Sequence, residues 1–407
     1  MRMSTLPSVR YLDRNTPPHI TTLVLMVATA TVPVNIFLAS LPSMAVYYDT
    51  PYAIMQFTVA GYLALTGLMQ VFIGPISDRF GRRPVMLAAL SVFILASLGA
   101  SLSTSFEVFM VFRCLQAVAV TGQVVARATV RDMVAREKAA SMIGYVTMGM
   151  ALAPMLAPPI GGILSDLFGW QSNFHALSLV GCITLTVVFF DQGETNRNKS
   201  ANFAQQFKAY PELLTSRRFW GYSLILVFAS GTFFAYLGGA PYVGEHFYGL
   251  TPTQVGLYLA ITPFGYMIGN GLSGRFASHF GLYRMILVGA LTILSIMSLT
   301  LVTAWLGVAH PLGFFGFTFA IGLGNGLVLP SASAGALDVR PALAGSASGL
   351  SGALMTLGGA VLAALSGFLL TETSGAYPLI FCILGSSAAC LLSGLYTIRI
   401  EKQVRGE

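Results

Sequence analysis

Long apolar runs separated by short polar segments recur along the whole chain. About 20 apolar residues are needed for a helix to cross roughly 30 Å of hydrocarbon, and runs of that length predict twelve helices. Their approximate ranges are 20–46, 53–76, 84–104, 107–129, 140–164, 173–190, 219–240, 254–276, 283–307, 312–337, 343–370 and 377–398. Helices are expected because backbone groups in lipid must be paired within the segment, and the runs lack the strict alternation of barrel strands. The predicted fold class is an all-α membrane protein with twelve transmembrane helices.

Composition supports a lipid-facing surface. Only 9% of the 407 residues are charged and 55% are hydrophobic, whereas a soluble domain usually carries about 25% charged residues. The four cysteines, which are Cys114, Cys182, Cys382 and Cys390, all lie inside apolar runs and are interpreted as packing residues. No small-residue cleavage site follows the first arginines, so we expect a retained first helix rather than a signal peptide.

The net charge of +7 comes from basic residues that lie in the predicted segments on one side of the membrane, and they do not form a single patch. With both termini placed in the cytoplasm, the inner segments hold every lysine and arginine except Arg113, and the outer loops carry acids instead. These acids are Asp49, Glu107, Asp166, Glu245 and Glu372. This asymmetry follows the positive-inside rule. It predicts a multi-pass protein of the bacterial inner (plasma) membrane with cytoplasmic termini and no nucleic-acid partner.

The chain reads as two related halves. Residues 191–217 form the longest polar stretch, and the segment from Gly74 to Leu90 aligns with the segment from Gly274 to Ala290 at a constant offset. Parallel repeats of six spans form transporters with a binding site between the halves, near the midplane. We therefore predict an N-terminal six-helix bundle at 1–190, a cytoplasmic central loop at 191–217 and a C-terminal six-helix bundle at 218–407, related by pseudo-symmetry.

The loop between the second and third predicted spans carries a specific pattern. Its candidate residues for a conformational latch are Gly74, Asp78, Arg79, Gly81, Arg82 and Arg83. Glycine permits close helix approach and a tight loop, and Asp78 can pair with an arginine. The pattern is similar to the signature loop of the major facilitator superfamily, which implies that fold and a transport function. The alternative is an ordinary basic cytoplasmic loop.

The fourth predicted span places Arg113, Gln116 and Gln123 on one helix face. A buried arginine in a membrane is costly and normally faces a cavity or a partner. The Arg113-Cys-Leu-Gln116 start resembles the fourth-span motif of drug:proton antiporters, although Ala117 stands where that group usually has glycine. The resemblance implies a role for Arg113 in proton coupling. The alternative is a structural arginine bonded to neighbouring carbonyl groups.

The fifth predicted span resembles the glycine- and proline-rich antiporter motif of exporters, with Gly149, Pro154, Pro158, Gly161 and Gly162. A general packing face of small residues is the alternative. Stretches such as Val125-Ala126-Arg127-Ala128-Thr129-Val130-Arg131-Asp132 and Ala240-Pro241-Tyr242-Val243 resemble the bicyclomycin- and chloramphenicol-resistance (Bcr/CflA) branch of multidrug efflux transporters.

Polar and aromatic residues of spans one, seven and eight are candidates for the cavity, since drug pockets combine apolar walls with a few polar groups. The substrate-cavity candidates are Phe233, Phe234, Tyr236, Tyr258, Thr262 and Tyr266; packing or lipid contact is the alternative for each. Asn35 stands near the position where branch members often carry an aspartate, and asparagine takes up no proton near neutral pH. Asp132, Glu107 and His175 are left as candidate proton carriers.

Together these patterns predict a secondary active exporter of small hydrophobic drugs or antibiotics, exchanging them for protons by alternating access. The alternative is a dedicated exporter or facilitator of one metabolite without proton coupling. No zinc-protease or nucleotide-binding motif is present in the sequence, so we expect neither an enzyme nor a cofactor or metal site. The predicted partners are the lipid bilayer, a small-molecule substrate and protons, and the chain is expected to act as a monomer.

Overall fold

The computed structural model describes residues 9–133, 136–196, 210–307, 310–340, 343–371 and 373–405. In the first half of the described chain the long helices are α1 (Ile20–Tyr47), α2 (Tyr52–Phe80), α3 (Arg82–Leu102), α4 (Phe106–Met133), α5 (Arg136–Phe168) and α6 (Gln171–Asp191). In the second half they are α7 (Arg217–Phe247), α8 (Pro252–Leu259 and Ile261–Phe280), α9 (Leu282–Trp305), α10 (Leu312–Asp338), α11 (Ala344–Leu369) and α12 (Tyr377–Arg405).

Each of the twelve predicted spans corresponds to one of these helices, and ten of them are long and apolar enough to cross a membrane within the described residues. The fifth and eighth predicted spans are helical but are not among these ten. Several helices extend beyond their predicted ends, as α12 does to Arg405. The sequence scan followed apolar residues, whereas backbone hydrogen bonding continues through polar residues at a helix end.

Several of the described helices are interrupted within their length. In α1 the first segment contains Pro33 and ends at Asn35, and a 3₁₀ turn (Leu38–Ser40) precedes the second segment. In α4 a 3₁₀ stretch (Gln116–Val120) separates two α-helical segments. A π-helical turn (Val243–Phe247) ends α7 after Pro241, and α8 breaks at Ala260. Such interruptions release backbone groups from their usual partners and often mark functional positions.

The described chain forms two compact units. The first comprises Met1–Pro33, Met69–Ala153 and Gln171–Phe203, and α3 packs there against α4 and α6. The second comprises Val34–Leu68, Pro154–Trp170 and Ala204–Glu407, and α7 packs there against α11 and α12 while α8 packs against α10. The helices α1, α2 and α5 therefore contribute one segment to each unit. The sequence-based boundaries at 190 and 218 stay a prediction, and residues 197–209 of the predicted central loop lie outside the described residues.

Asp191 fixes the start of α1 from the end of α6. It is fully buried, and its carboxylate accepts hydrogen bonds from the backbone N–H groups of Leu12 and His19, at 2.6 and 2.8 Å, and from the hydroxyl of Thr22 at 2.6 Å. A carboxylate at a helix N-terminus satisfies donors that have no partner inside the helix and complements the helix dipole.

We expect Asp191→Ala to destabilise the protein, because it leaves three donors without an acceptor and each costs about 1–3 kcal/mol. The apparent melting temperature of the detergent-purified protein should fall by roughly 5 °C or more. Asp13→Ala is the matched control, since the hydrogen bonds given for the Asp13 side chain are exposed and come from Asn15. Equal melting temperatures for both variants would show that Asp191 has no capping role.

Candidate functional site

The buried Arg113 forms the centre of a cluster that joins α1, α3 and α4. Arg113 is 0% exposed. Its Nη1 donates to Gln116 Oε1 at 2.7 Å and its Nη2 donates to the carbonyl oxygen of Pro33 at 2.7 Å. Gln116 in turn donates from Nε2 to the hydroxyl of Ser97 at 2.7 Å. We call these four residues the arginine cluster.

The arginine cluster depends on the interruptions in α1 and α4. Carbonyl groups in the last turn of a helix lack an intrahelical partner, and the first segment of α1 ends at Asn35, just after Pro33. Gln116 begins the 3₁₀ stretch of α4, one turn after Arg113. The cluster therefore places a positive charge beside a released backbone carbonyl in the interior of the protein. Asn35 is also buried and lies at this break.

A second polar pair repeats in both halves of the chain. Gln123 Nε2 donates to Thr31 Oγ1 at 3.3 Å, joining α4 to α1 across 92 residues of sequence. Asn325 Nδ2 donates to Thr232 Oγ1 at 3.0 Å, joining α10 to α7 across 93 residues. The same amide-to-threonine bond thus connects the first and fourth helices of each half. Sequence reasoning missed Thr31, Thr232 and Asn325, because the constant offset of the repeat aligns Thr31 with Gly231 and Gln123 with Leu323.

In the predicted signature loop, Arg82 forms ion pairs with two carboxylates of the first compact unit. Arg82 is buried; its Nη2 lies 2.5 Å from Asp78 Oδ1, and its Nε lies 3.2 Å from Asp132 Oδ2. Arg79 is exposed and lies over the ring of Phe80, and a Cβ added at Gly74 would meet no atom within 4 Å. The predicted role of Asp78 in latching the two halves stays a prediction.

Glu194 caps the loop from the beginning of the central segment. Its carboxylate accepts the backbone N–H groups of Arg82 and Arg83, at 3.0 and 3.3 Å, and so occupies the N-terminus of α3. Gly81 has a φ of 103°, and a Cβ at this position would collide with the Glu194 carboxylate. Asn196 donates to the carbonyl of Asp78 at 2.8 Å. Sequence reasoning assigned no role to Glu194 or Asn196, since nothing in their spacing relates them to the loop.

The proline- and glycine-rich part of α5 packs against the start of α8. A Cβ at Gly162 would collide with the carbonyl oxygen of Pro252, and a Cβ at Gly256 would collide with that of Pro158. Asp166 accepts hydrogen bonds from the backbone N–H and the hydroxyl of Thr253. Pro154 and Gly161 lie on the same helix. Gly149 belongs to the backbone of α5, and its surroundings fall outside the described residues.

A further contact joins the start of α2 to the end of α7, on the side of the protein where α5 packs against α8. These ends lie opposite the arginine-rich loops, and we call them the arginine-poor ends. Gln56 is fully buried and donates from Nε2 to the carbonyl of Gly238, which also accepts the hydroxyl of Tyr52 at 3.1 Å. The rings of Tyr52 and Tyr242 lie 4.6 Å apart. Segments from both halves of the sequence thus meet within the second compact unit.

The predicted cavity aromatics occupy several surroundings. Tyr236 and Thr262 are fully buried, and Thr262 donates to the hydroxyl of Thr318 at 3.1 Å. Tyr258 stacks on Phe315 at 4.9 Å. Phe233 and Phe234 are half-buried neighbours on α7, and Tyr266 is half-buried on α8. The structure brings Tyr236 beside Thr262 and Thr318, and the assignment of all six to a substrate cavity stays a prediction.

Comparison with known proteins identifies the family. A model of the Major Facilitator Superfamily matches the chain twice, over residues 23–247 and 232–406. The chain belongs to the Major Facilitator Superfamily. The two consecutive matches agree with the internal repeat, and the family resemblance expected from the signature loop is confirmed.

Curated relatives within the superfamily cover most of the chain. Multidrug resistance protein D of Escherichia coli is 29% identical over 89% of this chain and 92% of its own length. The chloramphenicol resistance protein of Pseudomonas aeruginosa is 26% identical over 93% of this chain and 90% of its own length. A bicyclomycin resistance protein homologue of Haemophilus influenzae is 28% identical over 86% of this chain and 88% of its own length. The resemblance to the Bcr/CflA branch is thereby confirmed.

Solved structures of the superfamily share the fold. A bacterial homologue of the human lysosomal transporter Spinster, in an inward-facing and occupied conformation, has a TM-score of 0.73 at 14% identity and covers 94% of this chain and 96% of that chain. A D-xylose–proton symporter has the same TM-score and identity, and the match covers 93% of this chain and 96% of the symporter chain. The chain is an all-helical, multi-pass membrane protein with the major facilitator fold.

We expect Gln56→Leu to loosen the contact between α2 and α7, because it removes a buried hydrogen bond worth about 1 kcal/mol. That difference corresponds to a roughly fivefold shift in a two-state equilibrium. A cysteine placed at the fully buried Val243 should then react several-fold faster with a membrane-impermeant maleimide than it does with Gln56 intact.

The control for this variant is Gln403→Leu, which changes an exposed glutamine on α12. An equal labelling rate with and without Gln56→Leu, or an equal acceleration by the control, would show that Gln56 does not hold these ends together.

Proposed function

We propose that the chain is a secondary active exporter of small, mostly apolar compounds, driven by protons entering the cell. It works in the bacterial inner membrane with both termini in the cytoplasm, by alternating access of one central site to the two sides. The names of three relatives, which refer to resistance to multiple drugs, chloramphenicol and bicyclomycin, support export of such compounds.

The observation that carries the proposal is the arginine cluster. A fully buried arginine in a membrane-spanning helix is expensive unless it acts on a partner, and Arg113 joins two helices through Gln116 and the Pro33 carbonyl. We infer that its charge responds to a group that gains or loses a proton during transport. Motion of the released Pro33 carbonyl, at the interruption of α1, would change how that charge is held.

The contacts at the arginine-poor ends support alternating access. Gly238 of α7 binds two side chains of α2, and α5 packs against α8 through glycine. Positive-inside topology assigns these ends to the outer side of the membrane. Closed contacts at these ends are one of the two arrangements that alternating access requires. The opposite arrangement requires these contacts to separate.

A specific observation favours a second candidate, which is export of one metabolite without proton coupling. Asn35 stands at the interruption of α1 in place of an acid and cannot titrate. Of the other candidate carriers, Asp132 is engaged by Arg82, whereas Glu107 and His175 lie at exposed positions. The first candidate is preferred because the names of the three relatives refer to drug resistance.

Arg113→Ala should abolish drug resistance while the protein still inserts, because the charge that couples protonation to helix motion is lost. Resistance is measured as growth of a strain lacking its own exporters across several drug classes, with protein amounts checked by immunoblot. Arg131→Ala, which removes an exposed arginine of the same helix, should retain resistance. Proton-driven efflux retained in Arg113→Ala would exclude the coupling role.

Collapse of the pH gradient should stop uphill transport by the purified protein in lipid vesicles, because proton entry supplies the free energy. The measurement follows a fluorescent apolar substrate before and after addition of an ionophore. Vesicles without protein correct for passive leakage. Transport that continues unchanged after collapse would favour the second candidate over proton exchange.

A further inference from the structure

A groove lies between α11 and α12, with α7 as its floor. The cavity measures about 530 Å³, which is within the range of small-molecule sites. Leu362, Leu365 and Leu369 line it from α11, Phe381 lines it from α12, and Phe228 closes the bottom. All of these belong to the second compact unit.

The groove offers no polar anchor to a ligand. No ionisable acid or base lines it, and its only hydroxyl, on Ser386, donates to the carbonyl of Phe228 at 2.7 Å. The thiol of Cys382 is a weak hydrogen-bonding group. Sites for drug-like compounds usually add a few placed polar groups to apolar walls. This lining suits an occupant that is hydrocarbon alone.

The open side of the groove faces the bilayer. Leu365, Leu369 and Phe381 are 43%, 42% and 57% exposed, and they belong to two helices that are long and apolar enough to cross a membrane. An unfilled apolar groove would forfeit dispersion contacts with its lining. Hydrocarbon from the surrounding lipid is therefore the material that covers it.

The extent of the groove fits part of an acyl chain. The stretch from Leu362 to Leu369 rises about 10 Å along α11, against about 15 Å for the hydrocarbon of one leaflet. Pro378 and Leu369 place its upper end near the connection between the two helices, at the arginine-poor ends. A chain descending from the headgroups of that leaflet would enter the groove along its length.

We propose that this groove binds one acyl chain of a phospholipid from the leaflet at the arginine-poor ends. Recognition is through the hydrocarbon, so the site takes phospholipids of different headgroups equally. The inference requires only that α11 and α12 span the membrane, and it is independent of the compound that the protein transports.

The test introduces a larger side chain into the groove, so that an acyl chain no longer fits. A Cβ at Gly385 would meet no atom within 4 Å, and Gly385 lines the groove, so Gly385→Leu introduces a side chain there whose Cβ has room. Native mass spectrometry of protein purified in mild detergent should show a retained phospholipid on the wild type and at least about tenfold less on the variant. Reloading with phosphatidylethanolamine or phosphatidylglycerol should give equal retention.

Gly271→Leu serves as the matched control, because Gly271 is an exposed glycine on α8 with nothing within 4 Å of its Cβ position. It should retain lipid as the wild type does. Leu362→Trp fills the groove from α11 and should reproduce the loss, which guards against a folding defect in a single variant.

Three outcomes would overturn the proposal. They are no retained lipid on the wild type, equal retention on both groove-filling variants, and retention that depends on the headgroup. Loss of drug resistance in Gly385→Leu with lipid retention unchanged would instead assign the groove to the transported compound. The lipid measurement involves no transport, so its failure is separate from failure of the proposed export function.

Discussion

The interior of a bilayer offers no water, so every backbone group released by a break in a helix must find a partner within the protein. Proline and 3₁₀ turns interrupt this chain repeatedly, and polar side chains from other helices meet the released groups. Arg113 binds the carbonyl of Pro33 where α1 stops, and Gln56 adds a bond from α2 to the carbonyl of Gly238 in α7. These two pairs connect residues that are 80 and 182 positions apart in the sequence.

The same constraint explains why polar residues in the spans are few and specifically placed. A long helix with intact hydrogen bonding needs only apolar side chains toward lipid, as in α9. A discontinuous helix needs an amide, hydroxyl or guanidinium nearby, and these are the groups that can exchange partners. The arginine cluster and the amide–threonine pairs therefore lie on helices that carry an interruption, or beside one.

Apolar run length and charge asymmetry were sufficient to predict the helices, and the repeat of the signature loop was sufficient to predict two related halves. Arg113 and Gln116 were paired by their spacing alone, because residues three apart share a helix face. Ser97 could not be paired with Gln116 in this way, since their contact depends on how α3 packs against α4. Glu194 was missed for a similar reason, because a carboxylate that caps a helix in another part of the sequence leaves no local pattern.

Where α5 meets α8, glycine faces backbone carbonyl in both directions, at Gly162 with Pro252 and at Gly256 with Pro158. Backbones that approach so closely leave no space for a water molecule, which occupies about 30 Å³ in the liquid. Water therefore cannot pass between the helices at these two positions while the contact stays shut. A membrane protein that uses an ion gradient dissipates it through any continuous wet path, so a dry seam of this kind limits leakage of protons between turnovers.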